Sequence, residues 1–170
     1  MSIEAIAQGL STEFRYGGQT DPLVTVAQHA TDTSRILEAE GYDPLMQFYG
    51  LHHDSSEAYL GDTQKPNKEV LSSLDELEDI WQDSVWEYLD VDSPSEEQEA
   101  TVKDVDLNQY LHEVDELFIE PEHRREALEI IDRSELGDQE LVEEMVDLGM
   151  SIDEAKKSFI DRHEELVTKI

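Results

Sequence analysis

The chain has 170 residues, 12 Lys+Arg against 43 Asp+Glu, a formal charge of −31 and a sequence pI of about 4.1. That length fits one domain, and 38% apolar residues supply one core, which excludes wholesale disorder. The scarcity of cations argues against nucleic acid gripped by a basic face. No apolar run approaches the roughly 18 residues of a membrane span, and the absence of cysteine excludes disulfides, thiolate metal sites and cysteine nucleophiles.

Strand patterns are nearly missing and helical periodicity is common, so the protein is predicted to be all-α. A first short helix is predicted over Ser2–Gly9. Residues Glu13 to Thr20 read as a loop, because the paired Gly17 and Gly18 permit positive φ. A second helix is predicted from Leu23 to Glu40, with Val26, Ala30, Thr33 and Leu37 on one face. Gly41 stops it, and Asp43 caps a third helix with Pro44 at its first position. That helix carries Leu45, Phe48, Tyr49 and Leu51 into His52-His53-Asp54, and a tighter segment from Ser55 to Leu60 ends at Gly61-Asp62.

A loop holding Pro66 is predicted over Thr63–Lys68, then a helix over about 68–89 with Trp81, Val85 and Trp86 in the core. Asp92-Ser93-Pro94-Ser95 caps a helix from about Ser95 to Phe118, and Pro121 interrupts. The remainder, 122–170, reads as two or three amphipathic helices, one over Ser151–Thr168, with breaks at Gly137-Asp138 and Gly149-Met150-Ser151. These C-terminal helices are expected to pack on the core or to make oligomer contacts. The N-terminus, Met1-Ser2-Ile3-Glu4, lacks the basic and apolar stretch of a secretory signal, so a cytoplasmic protein is expected. Carboxylates at this density repel one another in dilute buffer and are screened by salt. The composition resembles that of proteins from salt-in halophiles or their viruses, which places the expected compartment in a halophilic archaeon or its infected host.

Of the six histidines, His29 and His53 stand out, because each lies in a helix with apolar or small neighbours, and His53 is followed by Asp54. An imidazole and a carboxylate buried together need a partner. One such partner is a divalent ion, and this donor set suits Mn, Co, Fe, Zn or Ni. Asp106 and Asp104 both qualify as a further carboxylate.

The order His29, His53-Asp54, Asp106 resembles the H…HD…D signature of the HD-domain metal-dependent phosphohydrolases. Val26-Ala27-Gln28-His29 resembles the "VAEHS" block of the 5′-deoxynucleotidase-like branch, and residues 53–62, HDSSEAYLGD, resemble its "HDxxExxxGD". Val102-Lys103-Asp104-Val105-Asp106-Leu107 resembles its "VKxADL", which favours Asp106 over Asp104. Phe14 to Thr20 resembles the "RFGGxT" loop of phage-type members, and Lys68 follows Asp62 at the spacing of that branch's lysine. The departures are Gln28 for the usual acid, Ala30 for Ser and Val105 for Ala; none falls on a ligand position. The resemblance covers about residues 10–118 and implies an HD-domain helical bundle, with the C-terminal helices added to it.

It also implies roles. His29, His53, Asp54 and Asp106 would hold one divalent ion (Co, Mn, Zn, Fe, Ni or Mg), leaving room for water and a phosphate oxygen. Such an ion acidifies water and polarises a P–O bond. Glu57 lies three residues after Asp54 and four after His53, on their face if the turn is helical, placed to move a proton as general base or acid. Asp54 would also touch the attacking water. Arg15 would grip the substrate phosphate, with Tyr16 packed on base or sugar; Asp62 would sit near the sugar, or cap a helix, and Lys68 near phosphate. His52, about 100° round the helix from His53, reads as a supporting or surface group. His112, His123 and His163 read as structural or solvent-facing.

The expected activity is release of the 5′-phosphate of a deoxynucleoside monophosphate, a small-molecule nucleotide substrate, by a homo-oligomer. Two alternatives stay open: a deoxynucleoside triphosphate triphosphohydrolase, disfavoured by the shortage of cations beyond Arg15, Lys65 and Lys68, and a catalytically silent scaffold that binds nucleotide, disfavoured by Glu57 beside all four ligand types.

Overall fold

The computed structural model of the protein describes residues 1–62, 73–117 and 137–170, and every regular element among them is helical, as expected. The predicted features at Pro66, Lys68, Pro121 and His123 lie outside the described residues.

The first helix, α1 (Ile3–Thr12), starts at its cap, where Ser2 Oγ accepts the Ala5 N–H at 3.2 Å. It runs one turn beyond the predicted stop at Gly9. A Cβ on Gly9 would lie 2.6 Å from the Ala58 carbonyl oxygen, so this glycine lets α1 touch α4 (Glu57–Leu60) rather than ending the helix. The loop that follows contains a tight turn, Arg15–Gly18, with Tyr16, Gly17 and Gly18 at φ 59, 61 and 69°. Its flanks are tied down: the Arg15 N–H donates to Val24 O and the Val26 N–H donates to Glu13 O, both at 3.0 Å. That pairing holds Val24 and Thr25 extended, so α2 begins at Val26 and not at Leu23. Thr25 Oγ1 caps it by accepting the Gln28 N–H.

The helix α2 (Val26–Ala39) is the centre of the fold. It packs against α1, α3 (Pro44–His52), α6 (Glu96–Leu117), α7 (Gln139–Met145) and α8 (Ile152–Val167). Being surrounded, it buries the predicted apolar face and also Gln28, His29, Thr31, Asp32, Thr33 and Ser34. Hydroxyls on such a helix are satisfied locally: Thr31 Oγ1 donates to Ala27 O at 2.8 Å and Thr33 Oγ1 to His29 O at 3.0 Å. Close approach of α3 depends on Gly50, where a Cβ would stand 2.4 Å from Leu37 Cδ1.

Asp43 and Pro44 open α3 as predicted, with Asp43 Oδ1 accepting the Met46 N–H at 3.0 Å. Phe48, Tyr49, Leu51 and His52 are buried and Leu45 half-buried. On α5 (Ser73–Leu89), Val85 and Trp86 enter the core, whereas Trp81 is only half-buried and stacks on Tyr59 at 4.7 Å. Ser95 and Gln98 cap α6 reciprocally.

Both predicted C-terminal breaks are helix starts: Asp138 caps α7, and Ser151 with Glu154 forms a capping box on α8. Packing accounts for α8, which is core and not appendage. Ala155, Phe159 and Leu166 are fully buried, and each large side chain so placed contributes about 1.5–3 kcal/mol. The Arg162 guanidinium is buried with them, donating to Ser34 Oγ at 3.0 Å and to Gln47 Oε1 at 2.9 Å and pairing with Glu38 and Glu165. Among the described residues no helix is long and apolar enough to cross a membrane.

Candidate metal centre

Three helices bring the site together. His29 lies one turn into α2, His53 ends α3 with Asp54 in the turn after it, and Asp106 lies midway along α6. The turn after α3 is held by a side chain no sequence pattern singled out. Gln82 on α5 accepts the Ser56 N–H at 3.1 Å and donates to His52 O at 2.8 Å, fixing the corner that presents His53 and Asp54.

His29, His53 and Asp54 each offer a ligand atom within 4.8 Å of the others. Asp106 lies outside this group of three and touches it through His29, its Oδ1 lying 2.9 Å from His29 Nε2. Asp54 Oδ2 lies 3.1 Å from His53 Nε2 and 4.0 Å from His29 Nε2. The orientation of the two rings is decisive. Each has its outer nitrogen occupied: His29 Nδ1 meets Glu113 Oε1 at 2.9 Å and His53 Nδ1 meets Gly50 O at 2.7 Å. A neutral ring with Nδ1–H donated outward presents a bare Nε2 lone pair inward, the arrangement metal-ligating histidines adopt. Both Nε2 atoms are buried and, close as the carboxylates are, neither has a hydrogen-bond partner of proper alignment. Buried nitrogens left this way are costly, and a cation between rings and carboxylates removes that cost. The donor set therefore fits a divalent ion.

The charges agree. Burial pushes the Asp54 carboxyl up, but His53 and His29 hold it below the usual range. Asp106 is likewise lowered, burial being outweighed by its contact with His29. Burial and the Arg15 charge depress the His29 imidazolium, yet Glu113 and Asp106 raise it to about 9. His53 is raised against its burial chiefly by Asp54. Without a cation, the two raised rings hold protons and, with the Arg15 guanidinium, balance the three carboxylates Asp54, Asp106 and Glu113; a divalent cation that displaces those two ring protons would keep the same balance.

Glu113 is the functional side chain that sequence reasoning missed. It is fully buried on α6 and accepts from His29 Nδ1, from Arg15 Nε at 2.8 Å, from Tyr16 OH at 2.7 Å and from Gln109 Nε2 at 3.0 Å. Burial raises its pKa, and Arg15 and His29 bring it down to about 2. A signal existed: Asp106, Gln109 and Glu113 are spaced three and four, one face of a helix.

The other expected site residues divide. Arg15 is neither a surface ion pair nor free: its Nε binds Glu113, its side chain is 11% exposed, and its terminal nitrogens make no hydrogen bond among the described residues. Tyr16 packs its ring at 6.1 Å from Tyr110 and 5.3 Å from the Arg15 guanidinium carbon. Glu57 is buried at the start of α4, not solvent-facing, and lies outside the three-residue group. Asp62 follows the end of α4, its N–H held by Glu13 Oε1 at 3.1 Å. Lys68 lies outside the described residues. Asp104 is exposed, and Asp106 is the carboxylate on the His29 side.

Of the two readings open for His52, supporting or surface, the structure excludes the surface one. His52 is fully buried, because α3 is apolar all round at its C-terminal end, and it links Ser55 Oγ to His163 Nδ1 on α8, both at 2.9 Å. Burial and its two histidine neighbours keep it neutral, well below the usual histidine range. No protein-family model matches this chain, and no curated protein sequence matches it.

Proposed function

We propose that the protein is a divalent-cation-dependent phosphohydrolase of the HD type that removes the 5′-phosphate of deoxynucleoside monophosphates. The observation that carries this reading is the pair of inward, buried imidazole nitrogens that face Asp54 and Asp106 without a well-aligned hydrogen bond. His29, His53, Asp54 and Asp106 would hold the cation, which when bound supplies Lewis acidity at phosphorus and lowers the pKa of water. The rest falls to the chain. Water adds to phosphorus, the ester P–O bond breaks, and the nucleoside oxygen takes up a proton. Asp54, a quarter exposed beside His53, orients the water, and Glu57, buried three residues on, is the proton carrier. Arg15 keeps terminal donors for a phosphate, and Tyr16 offers a ring for base or sugar.

The test is phosphate release from a panel of deoxynucleoside monophosphates and triphosphates, with Co²⁺ or Mn²⁺ and with chelator. Cation-dependent release of inorganic phosphate from monophosphates is expected, abolished by Asp54→Ala without loss of helical circular dichroism. Undiminished release by that variant would refute the assignment. Release of intact triphosphate would move it to the triphosphohydrolase alternative, and nucleotide binding without turnover to the scaffold.

A further inference from the structure

Glu113 touches both halves of the site at once. One oxygen, Oε1, meets His29 Nδ1, while the other, Oε2, accepts from Arg15 Nε and Tyr16 OH. The first contact fixes a ring whose far nitrogen faces Asp54 and Asp106. The second holds a loop that is otherwise secured by main-chain pairing to the start of α2 and that carries Tyr16 at positive φ. A β-carbon-bearing residue does not take that backbone conformation without cost, so the tyrosine is kept there by what its side chain meets. Gln109 closes the arrangement, donating to Oε1 from one turn earlier while its own Oε1 accepts from Thr33 Oγ1 at 2.8 Å. The carboxylate is thus saturated and fixed, and neither half can shift without disturbing the other's acceptor.

We infer that Glu113 is a positioning residue that serves cation and phosphate together: its Oε1 presents His29 to the cation, and its Oε2 presents the Arg15–Tyr16 loop to the substrate phosphate. This deepens, and rests on, the phosphohydrolase reading. A carboxylate behind a ligating histidine strengthens that ligand, and its removal typically weakens metal binding by about 10–100-fold. A carboxylate behind an arginine orients the guanidinium fork, so loss of the anchor, at the worth of about one hydrogen bond, weakens oxyanion binding by about 3–10-fold. A residue serving only His29 would lose the first and spare the second once cation is saturating. A residue serving only the loop would do the reverse.

The experiment uses the full chain, Co²⁺ alone and then inorganic phosphate at saturating Co²⁺, both by calorimetric titration, on wild type and Glu113→Gln. Glu113→Gln is expected to weaken Co²⁺ by about 10–100-fold and, at saturating Co²⁺, still to weaken phosphate by about 3–10-fold. If only one affinity falls, the dual role is overturned; if neither falls, the positioning role goes entirely while the cation site stands. Should wild type take up no Co²⁺, the cation site itself is refuted and this inference with it. Thermal melts without cation report whether Glu113→Gln folds. If it does not, Tyr16→Phe decides: it removes one bond to Oε2 and leaves His29 untouched, so phosphate should weaken about threefold with Co²⁺ affinity unchanged. Tyr16→Phe binding phosphate as tightly as wild type would overturn the inference.

Discussion

Two carboxylates close to His29 are fully out of water, and they have opposite fates. Glu113 accepts four hydrogen bonds, two from cationic or ring donors, and burial notwithstanding it is brought down to about 2. Asp32, one turn beyond His29 on α2, has neither oxygen in a well-aligned hydrogen bond; burial, little relieved by Arg35 at 3.8 Å and by the Asp147 main chain, raises it to about 8. The same helix packing surrounds both. What separates them is donors: a buried charge is kept where its acceptor sites are filled and surrendered where they are not.

The largest effect should come from breaking the satisfied member. Glu113→Ala leaves the Arg15 guanidinium, the Tyr16 hydroxyl and His29 Nδ1 without their acceptor, and loss of one partner of a buried pair costs about 3–5 kcal/mol. Urea unfolding should show a destabilisation of that size in cation-free buffer. A cost below about 1 kcal/mol would place Glu113 among exposed pairs and undo the comparison.

Next comes the unsatisfied member. An acid at about 8 in the fold and 3.8 in the free chain holds its proton natively and loses it on unfolding. Stability therefore falls as pH rises from about 4 to 8 and levels off above, by the linkage of proton uptake to folding. Arg35 and His29 favour the ionised form and Glu113 opposes it, and these neighbours remain in the variant. Asp32→Asn should match wild type near pH 4 and exceed it by about 2–4 kcal/mol at pH 9. Urea midpoints across that range measure it; a wild-type-minus-variant difference that does not change with pH would show that Asp32 is ionised in the fold.

A neutral clamp makes a third point on the same scale. Gln82 holds the Ser56 N–H and the His52 carbonyl, both on buried residues. Gln82→Ala should cost about 1–2 kcal/mol, independent of pH between 5 and 9, because no charge is exposed by the loss. A pH-dependent cost would mean that the corner, and with it His53, had moved.

These side chains differ in how far the sequence announced them. Asp43-Pro44 and Ser151 with Glu154 were readable as helix starts because caps are local, acting over three residues. His29 and the His53-Asp54 pair stood out by their apolar or small neighbours, whereas Asp106 was preferred to Asp104 only through the resemblance of residues 102–107 to a family block. Glu113 had a periodic signal, four residues after Gln109 and seven after Asp106, but it was one glutamate among many and its partners Arg15 and Tyr16 lie nearly a hundred residues away. Gln82 and His163 had none, since contacts 30 and 111 residues apart in the chain carry no local period. The end of α1 was misplaced for a related reason: Gly9 reads as a stop until Ala58 is seen against it.

The exposed acids supply the smallest effect per group. Asp75, Glu76 and Asp79 on α5 and Glu96, Glu97 and Glu99 on α6 face water, and each like-charge neighbour on a helix costs about 0.2–0.5 kcal/mol. Salt acts on these and not on Glu113. Going from about 1 M to 0.01 M lengthens the screening distance from about 3 to 30 Å, so the surface repulsion, summed over the chain, should loosen the helices as salt is withdrawn. The penalty of Glu113→Ala, by contrast, should be nearly the same at both salt concentrations, because ions do not reach a carboxylate with no exposed surface. Circular dichroism unchanged down to 0.01 M salt would remove the halophilic reading of the composition. A Glu113→Ala penalty that shrank in step with added salt would mean water and ions enter the site, and that its acids are held apart by solvent instead of by the four donors around Glu113.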